Sequence, residues 1–233
     1  MKKIIVFLAL ISFICAKDIR VALGDKLAPY IIEPNSGMEY EIIKSAFELK
    51  SYKMIPVFVP FARLAKSAET GAYDVVGTIN EDSKIKNIYY SDSYITYENV
   101  VVSIKEYKIK SVADLKNKSI IAFQDANIYL GKEFADVVKN NPNYFELANQ
   151  EGQVASLMKE RVEVVVTDLN IFKYYYNKSS LFKQKQYIVY RIFKPTYYKL
   201  AFKDKKIRDD FNLGLKLLKN NGNYTKILKK YTE

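Results

Sequence analysis

The side chains best able to do chemistry here are carboxylates, amines and phenols, because the 233 residues contain no histidine and no tryptophan. The single cysteine, Cys15, lies in an apolar run near the start. A Ser-His or Cys-His nucleophile pair is therefore absent, and so is a soft-metal ligand set. A carboxylate or lysine enzyme stays open, but the commonest catalytic base is missing. Among the acids, Asp168 ends the apolar stretch VEVVVTD just before a helical segment, a position suited to capping that helix. Among the cations, Lys84 falls in NEDSKIKNIYYSDSY, Asn80 to Tyr94, and Arg63 in VPFARL. A guanidinium grips a carboxylate through two parallel hydrogen bonds, whereas an ammonium acts as a point charge. Each also has a plain reading, Lys84 as a solvated loop lysine and Arg63 on the exposed face of a helix over Phe61–Thr70.

Composition is that of a folded globular chain, 49% apolar and 27% charged. Thirty-seven Lys and Arg against 26 Asp and Glu give a net charge of +11. The lysines are spread along the chain instead of clustering beside stacking aromatics, so the charge reads as a solvated basic surface, with nucleic-acid binding the minor alternative. Lys2 and Lys3 precede an apolar run from Ile4 to Cys15 with Ser12 its one polar residue, and Ala16 follows. That pattern predicts a secretory signal over residues 1–16, too short to span a bilayer core as a helix, with lipid attachment at Cys15 as a variant. Cleavage would leave a chain without cysteine, independent of disulfide chemistry.

Positioning of these residues falls to alternating strands and helices. Asp18–Leu23 reads as a strand, GMEYEIIKSAFELK as an amphipathic helix, Lys53–Val59 as an edge strand carrying Pro56, and Tyr73–Thr78 as a buried strand. Ile95–Ile104 reads as one strand, followed by a charged connector at Lys105–Lys110. A second alternation opens with a capping-box-like SVADLKN at Ser111. It continues with strands at Lys118–Phe123, Tyr144–Leu147 and Glu163–Thr167, and with helices near Asn127–Val138, Gln153–Arg161 and after Asp168. Strands at Tyr187–Ile192 and Tyr197–Phe202 and two helices split at Asn220–Asn223 complete the chain. Such alternation implies parallel sheets covered on both faces, in two α/β blocks, with ligands bound beyond the carboxyl ends of strands.

Seven stretches in register resemble the bacterial extracellular solute-binding proteins of family 3, the polar amino-acid type that serves ABC importers. They are RVALGDKLAPY, GMEYEII, ETGAYDVVGTI, YYSDSY, IKSVADLKNKSIIAF, VEVVVTD and NNGNYTKILKKY. Ser93 replaces the family's proline and Asn117 its glycine. The resemblance implies a type II periplasmic-binding fold, two α/β lobes joined by two crossing strands near Ser103–Lys105 and Phe193–Pro195. Lobe 1 would take 17–104 and 195–233, and lobe 2 would take 105–194. It also implies site roles. Asp168 would pair with a ligand ammonium, and Lys84 stands where the family places a carboxylate-gripping arginine, with Arg63 the other candidate. Asn127 sits in the second-lobe loop that holds a carboxylate, though Asp125 beside it opposes an anion. Tyr30 and Phe61 would be aromatic walls, and Thr78 ends the buried strand at the pocket.

The expected function is periplasmic capture of a small polar solute, an amino acid or related zwitterion, for an ABC permease in the inner membrane. The protein would be non-enzymatic and monomeric, without cofactor, metal or nucleic acid. The alternatives are an exported sensory or orphan binding protein, or a dehydratase-like enzyme on the same fold.

Overall fold

The alternation after Lys17 becomes β1 (Lys17–Gly24), paired in parallel with β2 (Tyr52–Val59) and β3 (Val75–Ile79). The chain is described by a computed structural model over residues 16–32, 34–80 and 83–233. The export signal expected at 1–16 lies outside the described residues apart from Ala16. β4 (Tyr89–Tyr90) and β5 (Ile95–Tyr97) both pair antiparallel with β11 (Thr196–Phe202), which runs antiparallel to β3. The sheet order is β2-β1-β3-β11-β4. Pro56 is tolerated because β2 is the edge strand, with only β1 needing its backbone.

Helices α1 (Met38–Glu48), α7 (Lys205–Asn220) and α8 (Asn223–Thr232) cover one face of this sheet. Phe47 of α1 meets the rings of Phe202 and Phe211 at centroid distances of 6.3 and 5.1 Å. Burying each such ring contributes about 1.5–3 kcal/mol. The other face packs on α2 (Leu64–Thr70), which follows a 3-10 turn at Phe61–Arg63 and ends at Gly71 in the left-handed region.

A second sheet, β10-β6-β9-β7-β8, is built from β6 (Asn99–Ser103), β7 (Ile120–Phe123), β8 (Tyr144–Leu147), β9 (Val164–Asp168) and β10 (Ile188–Tyr190). Its helices are α3 (Ala126–Tyr129), α4 (Lys132–Val138), α5 (Gln150–Met158) and α6 (Leu169–Lys178). Val164 and Val166 of β9 point into one core and Val165 into the other, so both faces of the strand are buried. The capping box at Ser111 forms with Asp114 as its spacing implies.

Two expectations change. The strand expected over Ile95–Ile104 is two strands in different sheets. Tyr97 pairs with Thr196 in the first, and Asn99 pairs with Asp168 in the second. The first crossing therefore lies at Glu98, ahead of the expected Ser103–Lys105, and β6 belongs to the second lobe instead of the first. The return crossing runs through 191–195, between β10 and β11, and includes Phe193–Pro195. The helix expected near Asn127–Val138 is divided into α3 and α4 at Gly131, whose φ of 86° an ordinary helix cannot hold.

Candidate functional site

Ligands of open α/β sheets bind beyond the carboxyl ends of strands. Here those ends carry Tyr30 after β1, Phe61 after β2, Thr78 in β3, Asn127 after β7 and Asp168 closing β9. Tyr30 and Asp168 meet across the lobes, the Tyr30 hydroxyl donating to Asp168 Oδ1 at 2.7 Å.

Tyr30 is held there by its loop. The backbone N–H of Glu39 donates to the Tyr30 carbonyl, and that of Met38 to the Pro29 carbonyl. Gly37 makes this close approach possible. It has φ 113°, and a Cβ there would stand 2.3 Å from the Tyr30 carbonyl oxygen. The Tyr30 ring is fully buried and stacks on Tyr97 at 3.9 Å. Tyr97 in turn meets Tyr198 edge-on at 4.7 Å.

Asp168 caps α6, as expected from its position. Oδ1 accepts from the backbone N–H groups of Asn170 and Ile171 at 2.9 and 3.0 Å, besides the Tyr30 hydroxyl. Oδ2 accepts from the N–H of Glu98, the crossing residue, at 2.9 Å. Asn170 Nδ2 also donates to the Tyr30 hydroxyl oxygen. Burial pushes the carboxyl up to about 6, and these donors hold it back from rising further. The cap, the interlobe contact and the hinge thus share one carboxylate. The hinge carries a second tie, as Arg191 Nε donates to Glu98 Oε1 at 2.8 Å across the two crossings.

Beside this lies a second buried carboxylate, Glu39, 1% exposed. It accepts from the hydroxyls of Thr78, Tyr94 and Tyr97, the last at 3.1 Å. Burial raises its pKa, against the lowering effect of those hydroxyls. Thr78 completes the network by donating its N–H to the Tyr94 hydroxyl, and does so with φ 54°, a left-handed conformation unfavourable for a β-branched residue. Tyr198 lies close enough to Glu39, Tyr129 and Asp168 to feel their charge; with desolvation the larger cause, its hydroxyl is pushed up to about 12.

The structure therefore joins Tyr30 and Asp168 directly, and Thr78 to them through Glu39 and Tyr97. Phe61 is 40% exposed, its ring close over Gly24 at the end of β1. Arg63 and Lys84 are exposed, and neither side chain has a partner among the described residues. Asn127 is exposed as well, and its N–H is engaged: it and the N–H of Asp125 donate to the Glu146 carboxylate at 3.1 and 2.8 Å. The Tyr144 hydroxyl donates to the same carboxylate at 2.5 Å. A surface hollow of about 690 Å³, lined by Lys116, Glu133, Asp136 and Asn141 among others, shares no residue with this cluster.

The order of elements and the crossing at Glu98 are those of a two-lobed binding protein, and a family comparison decides the matter. The model of the bacterial extracellular solute-binding proteins, family 3, matches residues 19–233. The chain belongs to that family. Its fold is the type II periplasmic-binding fold. Among curated relatives, the arginine-binding extracellular protein ArtP of Bacillus subtilis (strain 168) is 25% identical over 203 residues, 84% of this chain and 77% of ArtP. Among solved structures, an ancestral cationic amino acid solute-binding protein, AncCDT-1, superposes with a TM-score of 0.72 at 22% identity, covering 94% of this chain and 97% of that one. The GluR0 ligand-binding core in complex with L-glutamate gives 0.70 at 16% identity, covering 94% and 99%. At these identities the superpositions speak for the fold alone.

Within this family 3 chain, sequence reasoning passed over Glu39, Tyr97, Glu98 and Glu146. Glu39 had a signal: it sits three and four residues before Ile42 and Ile43, on the buried stripe of α1, where an acid needs partners. Glu98 and Glu146 had none, since their roles depend on which strands become neighbours.

Proposed function

We propose that the protein captures a small ammonium-bearing polar solute, an amino acid or a close relative, outside the inner membrane and delivers it to an ABC importer. The observation that carries this reading is Asp168: a buried carboxylate at the carboxyl end of β9, bonded at once to the hinge residue Glu98 and to Tyr30 of the other lobe. Oδ1 takes three donors and Oδ2 one, which leaves Oδ2 able to accept from a ligand. An ammonium there would bias the hinge between its arrangements. Family membership and the resemblance to the arginine-binding extracellular protein ArtP support the solute class. Among the described residues no helix is long and apolar enough to cross a membrane. The residues 1–16 pattern supports export, and the secreted protein should begin at Lys17 by intact mass.

Asp168→Asn tests the site, since Asn caps a helix about as well as Asp. Calorimetric titration should show solute affinity falling by more than about tenfold, as removal of one partner of a desolvated charge pair requires. Unchanged affinity in a folded variant would remove Asp168 from the site. Loss of solute uptake in cells lacking the gene, restored by the wild-type chain but not by the variant, checks the transport role.

A further inference from the structure

The carboxyl ends of the strands carry an uneven set of charges. After β7, the N–H groups of Asp125 and Asn127 face an anion already in place, the Glu146 carboxylate, which also takes the Tyr144 hydroxyl. A solute carboxylate arriving there would have to displace a tethered one and would meet Asp125 as well. On the first-lobe side the cations nearest in sequence to these ends, Lys26, Arg63 and Lys84, are exposed and bonded to none of the described groups. Exposed cations are screened by solvent and offer little net attraction. The fully buried charged and phenolic groups here are Asp168, with an acceptor position left on Oδ2, and Glu39, beside the rings of Tyr30, Tyr97 and Tyr198 in mutual contact, while Lys199, opposite Ile79 at the end of β3, is half-buried. Phenol rings beside carboxylates suit an alkylammonium, which gains from both the charge and the ring faces.

We infer that the solute is an amine without a carboxylate, the decarboxylated counterpart of an amino acid. The inference rests on the proposed role of Asp168, and it concerns only which class of ammonium compound that carboxylate and the phenols beside it prefer. Glu146 is the discriminating residue: it satisfies from within the N–H groups that could otherwise hold a carboxylate.

Matched pairs differing only in the α-carboxylate provide the test: agmatine with arginine, cadaverine with lysine, putrescine with ornithine. Affinities measured by calorimetric titration on the full-length mature protein should favour the amine of at least one pair by tenfold or more. In Glu146→Gln the ratio should shrink several-fold as the amino acid gains. An amino acid that binds as tightly as its amine, or more tightly, overturns the inference and leaves the proposed function standing. A ratio unchanged in Glu146→Gln overturns the role of Glu146. No binding by either class, here or in a wider screen of polar solutes, removes both the inference and the functional reading beneath it.

Discussion

Asp168 and Glu39 are both buried carboxylates on one chain of contacts, yet they are satisfied in different ways. Asp168 is held mainly by peptide N–H groups, two from the first turn of α6 and one from the hinge, with a single phenol added. Those donors are fixed by the backbone and point at the carboxylate whatever its neighbours do. Among the described residues, Glu39 receives only side-chain hydroxyls, from Thr78, Tyr94 and Tyr97. Hydroxyls can rotate and can serve a neutral acid as well as an anion. The contrast separates their work: Asp168 ties Tyr30 to the crossing at Glu98, where the proposed site lies, and Glu39 ties the floor of the first lobe together.

The largest effect should come from emptying the hydroxyl site. Glu39→Ala leaves three buried hydroxyls without their acceptor, at about 1–3 kcal/mol for each that stays unsatisfied. Denaturant unfolding should show a loss of at least about 3 kcal/mol, with Glu39→Gln losing clearly less. A loss below about 1 kcal/mol for the alanine variant would mean that the network is not structural.

A pH series comes next. The folded pKa of Asp168, about 6, lies above its ordinary 3.8, so the folded state favours the protonated form. Its contribution to stability is full below about 3.8 and is lost as pH rises through about 6. Relative to Asp168→Asn, wild-type stability should fall by about 2 kcal/mol between pH 4 and pH 7. A difference that is flat with pH would contradict the assignment. An ammonium ligand needs the ionised form, so its affinity should weaken about tenfold from pH 7 to pH 5, given the pKa of about 6. Beside Asn170, the groups that feel Asp168 are the phenols of Tyr30, Tyr97 and Tyr198, and all three titrate far above this window.

Thr78 separates bonding from backbone strain. Thr78→Val keeps the β-branch at φ 54° but loses the hydroxyl, and should cost about 1–2 kcal/mol. Thr78→Gly loses the same hydroxyl yet relieves the backbone, so it should cost about 1 kcal/mol less than the valine variant. Equal losses in thermal or denaturant unfolding would show that the left-handed conformation stores no strain.

The smallest effect is expected at the hinge. The Arg191 and Glu98 side chains are 58% and 33% exposed, so Arg191→Gln should change stability by no more than about 1 kcal/mol. A larger loss would make the crossing, and not the two carboxylates, the main tie between the lobes.

The alternation of strands and helices, the capping role of Asp168, the edge position of the Pro56 strand and the left-handed stop at Gly71 all follow from local chemistry, and each is present. Propensity, periodicity and capping act over a few residues, and a sequence displays them directly. Only the tertiary structure decided that ITYENVVVSI changes sheet at Glu98, that Glu146 fills the loop of Asn127, and that the Tyr30 hydroxyl reaches Asp168, 138 residues away. Strand identity looks the same whichever sheet receives it, and a carboxylate shows no partner until the strands beside it are fixed. The acids and phenols were thus written in the chain, while their pairing came from which strand ends the fold brought face to face.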